Sequence, residues 1–153
     1  MKVISTNTGP KKEVMFRGKP VKTGIYKSPI EEGIFLESED VKGDQVVDRR
    51  FHGGIDKACY LYSFDFYNFW KERYPDLDWQ YGMFGENLTV SGLNEKELHI
   101  GNQYQVGDAI VEISQPRQPC FKLGIRMGSP KIIREFVQTT YSCLLYTSDA
   151  ADD

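Results

Sequence analysis

Short β-prone runs recur along this chain between turn signals, and this pattern is the feature that most constrains its fold. The turn signals include Thr8-Gly9-Pro10, Arg17-Gly18-Lys19 and Gly107-Asp108, and apolar runs bounded in this way are typical of strands. The runs predicted as strands are Lys2–Thr6, Glu13–Phe16, Val21–Tyr26, Ile34–Glu37, Ala58–Tyr62, Asn87–Val90, Gln103–Val106 and Ala109–Ser114. Strands this short and frequent favour a mainly β fold, a barrel or a folded sheet, over repeated βαβ units.

Helical periodicity is confined to two segments, so about two peripheral helices are expected. The first begins near Ser63 and runs to about Arg73, and its aromatic stripe is interpreted as packing rather than as contact with a cofactor. The second opens at Ser129-Pro130. The residues of the two apolar stripes are Phe66, Phe69, Trp70 and Tyr74, then Ile132, Ile133, Phe136 and Val137.

Size and charge favour one ordinary globular domain. The chain has 153 residues, with 19 Lys and Arg against 22 Asp and Glu, for a formal net charge of -3. It contains no apolar run near the ~20 residues that a membrane span needs, and its N-terminus has no signal-peptide pattern. We therefore expect a soluble, cytoplasmic protein with no nucleic-acid or membrane partner.

The last eleven residues, CLLYTSDAADD (143–153), differ in character from the rest of the chain. They resemble the translated sequence of a sequencing adapter and are interpreted as a non-native tail. The domain then spans 1–142 and is truncated, lacking its closing strand. Little specific contact is expected from the tail, although Leu144–Tyr146 is apolar enough to occupy the place of a missing strand. Without the tail's three aspartates the net charge is zero.

Three turn-like stretches carry residues that packing alone does not explain. The first, RRFHGGIDKA (Arg49–Ala58), combines a Gly-Gly pair with Arg and Lys, which suits an anion such as phosphate. A tight turn with solvated charges is the alternative. His52 is a weak metal candidate, because the other histidine, His99, is distant in sequence.

The second stretch, FGENL (Phe84–Leu88), offers in Gly85 a close approach of the backbone and in Glu86 and Asn87 polar side chains just before a strand. Alone it is also compatible with a simple turn.

The third stretch, SQPRQPCFKLG (Ser114–Gly124), places Cys120 directly after a proline. Its prolines predict a stiff loop rather than a strand interior or a helix. Arg117 and Lys122 would favour the thiolate of Cys120, the form that binds soft metals or carries sulfane sulfur. A buried, purely structural cysteine is the alternative, and it is the interpretation we give to Cys59.

In this order, HGG…FGENL…SQPRQPC resembles the MOSC domain family, named for the C-terminal domain of molybdenum cofactor sulfurases, and most of all its small stand-alone bacterial members. The resemblance implies a β-barrel-like fold and a site for the molybdenum cofactor (molybdopterin). It makes Cys120 the catalytic residue and metal ligand. The residues that it places around the cofactor are Arg49, Arg50, His52, Gly53, Gly54, Asp56, Lys57, Gly85, Glu86, Asn87, Arg117 and Lys122.

Three functions are compatible with this resemblance. An oxidoreductase would reduce small N-hydroxylated compounds, with electrons from a donor protein. A sulfur carrier would hold a persulfide on Cys120, supplied by a cysteine desulfurase that carries its own pyridoxal phosphate. A non-catalytic module would only hold the cofactor. In each case the three stretches are expected to converge on one concave site near Cys120.

Overall fold

The structure is a computed structural model that describes residues 2–10, 12–31, 33–34, 59–93, 97–116, 119, 121–138 and 144–148. Its strands are β1 (Lys2–Thr8), β2 (Lys12–Phe16), β3 (Lys19–Thr23), β4 (Ser28–Ile30), β5 (Cys59–Ser63), β6 (Leu88–Ser91), β7 (Gln103–Val106), β8 (Ala109–Pro116) and β9 (Leu144–Ser148). Its helices are α1 (Asp65–Arg73), α2 (Phe121–Met127) and α3 (Lys131–Gln138). The prediction of a mainly β domain is confirmed.

Seven strands form one sheet in the order β4-β1-β6-β5-β9-β8-β7, and β2 and β3 form a separate hairpin. β5 and β6 pair in parallel, whereas the other neighbours in the large sheet are antiparallel. Within the described residues, β4 and β7 are the two ends of this sheet. The sheet is therefore folded and open in this part of the chain, rather than a closed barrel.

The stretch around Cys120 corrects one expectation. β8 continues through Ser114 to Pro116. Its pairing register with β9 shifts between Ile113 and Gln115, which is the irregularity expected of a β-bulge. α2 then begins at Phe121 and includes Lys122. The stretch thus connects β8 to a third helix, which was not predicted. The expectation that this stretch forms neither a strand nor a helix is wrong at both of its ends.

Aromatic side chains from α1 fill the larger of two core clusters, which confirms their interpretation as packing. Of the predicted stripe, Trp70 is fully buried and Phe66, Phe69 and Tyr74 are half-buried against the cluster; Tyr67, which the stripe did not include, is fully buried too. Trp70 Nε1 donates to the hydroxyl of Tyr62 at 2.7 Å. Ser63, near which this helix was expected to begin, accepts the backbone N–H of Asp65 on its Oγ at 3.3 Å, and the N-cap residue of α1 is Phe64. The cluster joins α1, β5, α2, α3 and the turn before β6 through Tyr62, Tyr67, Trp70, Met83, Phe84, Leu123, Met127, Ile132 and Phe136.

The strand β9 corrects the expectation for the tail. Leu144–Tyr146 pair with β5, and the whole of Leu144–Ser148 runs beside β8. Apolar residues do occupy a strand position, as expected, but the pairing continues through Thr147 and Ser148, opposite Glu112 and Val111. The tail residues 144–148 therefore make specific contacts.

None of the helices in the described segments is long and apolar enough to cross a membrane.

Candidate functional site

A fully buried turn precedes β6 and contains the FGENL stretch. Gly82 and Gly85 have positive φ angles of 89° and 79°, and Gly85 N donates to Gly82 O at 3.0 Å. A Cβ atom on Gly82 would lie 2.8 Å from the carbonyl oxygen of Lys27. Glycine is required there both for its left-handed backbone and for this close approach.

The Glu86 side chain is the centre of this turn. It is completely buried, and both of its carboxylate oxygens accept hydrogen bonds. The donors are Gly82 N at 2.9 Å, Thr89 Oγ1 at 2.8 Å and the Tyr67 hydroxyl, all on Oε1, and Phe84 N at 3.1 Å on Oε2. Four donors around one buried carboxyl group fix the turn to α1 and β6.

Burial raises the pKa of Glu86, against the opposing effect of its hydrogen-bond donors. Burial, together with the neighbouring Glu86, also raises the pKa of Tyr67 well above its ordinary value. A carboxyl group whose pKa is higher in the folded chain binds more protons folded than unfolded, so its contribution to stability falls as the pH rises above about 4.3.

We therefore predict that the free energy of unfolding of the wild type falls relative to that of Glu86→Gln as the pH rises from about 4 to 8. The glutamine cannot ionise, so the difference between the two proteins isolates the Glu86 titration. Urea titrations at several pH values measure it. If the free energy of unfolding of the wild type instead rises relative to that of Glu86→Gln over this pH range, the four donors outweigh burial.

Asn87 and Asn7 join three strands through side-chain amides. Asn87 Oδ1 accepts Tyr60 N at 3.0 Å, and Asn87 Nδ2 donates to Asn7 O at 3.3 Å. Asn7 Nδ2 in turn donates to Glu86 O at 3.2 Å and to Thr89 Oγ1 at 3.1 Å. Buried amides thus hold together β1, β5 and the start of β6. The backbone carbonyl of Glu86 and the side-chain amide of Asn87 make these hydrogen bonds within the fold.

The strand β5 lies beside the FGENL turn, since Tyr60 exchanges backbone and side-chain hydrogen bonds with Asn87. β5 begins directly after the Arg49–Ala58 stretch in the sequence, and that stretch lies outside the described residues. Pro116, at the end of β8, lies on the same row of the sheet as Leu88, with Leu61 and Leu144 between them. That row spans about 14 Å, since adjacent strands lie about 4.8 Å apart.

The basic face of α2 lies beside the same turn. Lys122 and Arg126 are four residues apart and share a helix face. The Arg126 guanidinium lies 5.0 Å from the ring centroid of Tyr26, and the next residue, Lys27, is the one whose backbone approaches Gly82. The Nε atom of Arg126 is buried without a hydrogen-bond partner among the described residues, a donor that suits an anionic group.

Most of the predicted site residues lie outside the described residues. They are Arg49, Arg50, His52, Gly53, Gly54, Asp56, Lys57, Arg117 and Cys120. Gly85, Glu86, Asn87 and Lys122 are described, and their contact with a cofactor stays a prediction, as does convergence on Cys120. Cys59 is 1% exposed, which confirms it as a core residue. The described segments hold no group of His, Cys, Asp and Glu suited to a metal ion, and His99 is exposed.

Sequence reasoning missed three residues that shape this region: Asn7, Lys27 and Arg126. Asn7 directly follows the predicted strand Lys2–Thr6, and the structure extends β1 through it to Thr8, although asparagine is depleted in strands. Lys27 is buried, and its Nζ donates to Gly24 O at 3.2 Å. No pattern in the sequence distinguishes Lys27 or Arg126 from solvated surface charges.

Fold and site together define a class of protein. It is a mainly β domain with a buried Gly-Glu-Asn turn beside a basic helix, and a cysteine directly precedes that helix in the sequence. Residues 48–149 match the MOSC domain. The chain is 39% identical over 140 residues to YflK of Bacillus subtilis (strain 168), covering 92% of this chain and 63% of YflK. It is 33% identical over 125 residues to a protein named "Reductase" of Gibberella moniliformis (strain M3125 / FGSC 7600), covering 80% of this chain and 22% of that protein.

A solved structure shares the architecture. The crystal structure of YiiM from Geobacillus stearothermophilus superposes with a TM-score of 0.75 at 30% identity, covering 97% of this chain and 67% of that one. This chain belongs to the MOSC domain family, which confirms the resemblance drawn from its motifs. The MOSC domain is associated in general with molybdenum cofactor binding.

Proposed function

We propose that this protein binds the molybdenum cofactor and reduces small N-hydroxylated compounds to amines, with Cys120 as the molybdenum ligand. The observation that carries the proposal is the buried, unpaired Nε of Arg126, on a helix that begins one residue after Cys120. Membership of the MOSC domain family and the similarity to a fungal protein named "Reductase" support it.

The described residues fit an anionic cofactor. Lys122 and Arg126 would face its phosphate with charge and forked hydrogen bonds. Arg49, Arg50, Lys57 and Arg117 would add charge, and His52, Gly53, Gly54, Asp56 and Gly85 would shape the adjoining loops. Asn7, Glu86 and Asn87 hold the turn against the sheet, so that the backbone facing the cofactor is fixed before binding.

When bound, the cofactor supplies a redox-active metal that exchanges oxygen with the substrate. The overall change is R–NHOH plus two electrons and two protons, giving R–NH2 and water. Both electrons come from a donor protein. This chain's residues bind and orient the anionic cofactor and keep water from the buried side of the FGENL turn.

We predict that Arg126→Gln lowers the molybdenum and pterin bound per chain by about tenfold, the loss typical of a charged hydrogen bond to a buried anion. Arg126→Lys keeps the charge but loses the fork, so it should retain an intermediate amount. Metal analysis and pterin fluorescence of the purified proteins measure both quantities.

The matched control is Arg134→Gln, on the exposed face of α3, which should bind as the wild type does. Thermal denaturation of each apoprotein separates lost binding from lost folding. Equal cofactor content in Arg126→Gln and the wild type would contradict the proposed site.

A further inference from the structure

An apolar groove lies between the β2–β3 hairpin and the helices α2 and α3. It encloses about 510 Å³, and its lining includes Met15, Phe16, Phe121, Pro130 and Ile133. The rings of Phe16 and Phe121 stand 6.0 Å apart. Met15 is 68% exposed and Phe121 49% exposed, although both are large and apolar. Contiguous exposed apolar surface of this kind marks an interaction site.

The two segments that form this groove carry a net positive charge. The hairpin segment 12–23 and the helical segment 121–138 together carry eight Lys and Arg against two Asp and Glu, in a chain whose net charge is -3. Arg17 lies on the rim, with its guanidinium 5.1 Å from the ring centroid of Phe16. An acidic surface is therefore the complement of this face.

We propose that this groove is the docking site for an acidic electron-donor protein, a conclusion that rests on the proposed reductase function. Phe121 forms part of its lining and directly follows Cys120 in the chain. A donor that contacts Phe121 would contact the residue that directly follows the proposed metal ligand in the sequence. The donor is oxidised as it gives up two electrons, in two one-electron transfers where it is a [2Fe–2S] ferredoxin. With two protons from water, these electrons convert R–NHOH to R–NH2 and water.

The form of the groove suits a transient redox partner better than a permanent subunit. Electron-transfer complexes bury little area and depend on charge for orientation and rapid association. Here a small apolar centre has Arg17 on its rim, and Lys131, at the start of α3, keeps 76% of its side chain exposed. Such a rim steers an acidic protein without holding it for long.

The hairpin tip permits a sharp test. Arg17 has a φ of 52° and precedes Gly18 at 76°, a turn in which Asp is well tolerated. Arg17→Asp therefore reverses the charge and keeps the turn. Phe121→Ser removes the apolar centre. Lys71→Glu, on the exposed face of α1, is the matched charge reversal away from the groove.

The probes are a purified acidic [2Fe–2S] ferredoxin and, as a small redox protein of opposite charge, a basic cytochrome c. We expect the wild-type chain to bind the ferredoxin in calorimetry or surface plasmon resonance, with affinity falling as salt rises. Arg17→Asp and Phe121→Ser should each weaken binding about tenfold, Lys71→Glu should not, and cytochrome c should not bind.

Absence of ferredoxin binding to the wild type, or equal binding by all variants, would overturn the proposal. Binding of the small anionic dye 1-anilinonaphthalene-8-sulfonate in the groove without binding of ferredoxin would assign the groove to a small molecule, and would overturn it too. The binding measurement needs no turnover. A chain that binds ferredoxin at this face but reduces no N-hydroxylated compound would contradict the proposed function and leave the docking site standing.

Discussion

Replacing Cys120 with serine should lower reduction of N-hydroxylated compounds at least about 100-fold. A hydroxyl group is nearly the size of a thiol but is a harder and weaker ligand for molybdenum. Loss of a mere partner to a metal ligand already costs about 10–100-fold, so loss of the ligand itself should cost more. Steady-state assays of an amidoxime or hydroxylaminopurine, with a chemical reductant supplying electrons, measure the effect independently of any donor protein.

Cys59→Ala is the matched control for this experiment. Cys59 is buried in the second core cluster with Leu61 and Leu88, so its loss should cost about 1 kcal/mol of stability and no activity. Activity retained in Cys120→Ser would remove that residue from the mechanism. Cyanide-releasable sulfur on Cys120, with no reduction of substrate, would favour the sulfur-carrier function instead.

Glu86→Ala should destabilise the folded chain by about 3–5 kcal/mol. Alanine would leave Phe84 N without its acceptor in a fully buried turn, and Gly82 N with only the Tyr67 hydroxyl at 3.1 Å. A buried unpaired donor costs about 1–3 kcal/mol. The hydroxyls of Tyr67 and Thr89 would lose the same acceptor. A loss of this size is a large share of the total stability of an ordinary domain. Chemical denaturation followed by tryptophan fluorescence, since Trp70 lies in the adjoining core, measures it.

Two variants bracket that result. Glu72→Ala, on the exposed side of α1, should change stability by less than about 0.5 kcal/mol. Glu86→Gln should lie between alanine and the wild type, because its amide oxygen can replace Oε1 while its amide nitrogen would face the N–H of Phe84. Equal stability of Glu86→Ala and the wild type would mean that the carboxyl group does not hold the turn.

The sequence predicted the elements whose ends are marked by local chemistry. β7 was predicted with the bounds that it has, because Gly107-Asp108 fits the short turn joining it to β8. α2 was missed because the prolines of the Ser114–Gly124 stretch predicted a stiff loop, whereas the helix begins only after the last of them. Gly124 lies inside the helix, where a Cβ would come within 3.2 Å of Ile133 and Pro130, so the glycine permits close packing of α2 and α3.

The candidate site was predictable in its residue types but not in their orientation. Residue types indicated that Glu86 and Asn87 offer acceptors and an amide at the start of a strand. Only the fold shows that these groups point inward, toward Tyr67 and Asn7. Partners 19 and 80 residues away in the chain leave no local pattern, since they depend on which strands become neighbours.

The position of β9 determines when the domain can complete its sheet. In the described sheet, β9 lies between β5 and β8, so it alone joins the four-stranded part β4-β1-β6-β5 to the β8–β7 hairpin. A nascent chain leaving the ribosome has therefore made both parts before it makes the strand between them. Until then β5 and β8 each expose an unpaired edge that other strands can join. Folding of this sheet ends with an insertion at its middle rather than an addition at its rim, and the interval before that insertion is when the newly made chain is most prone to aggregate.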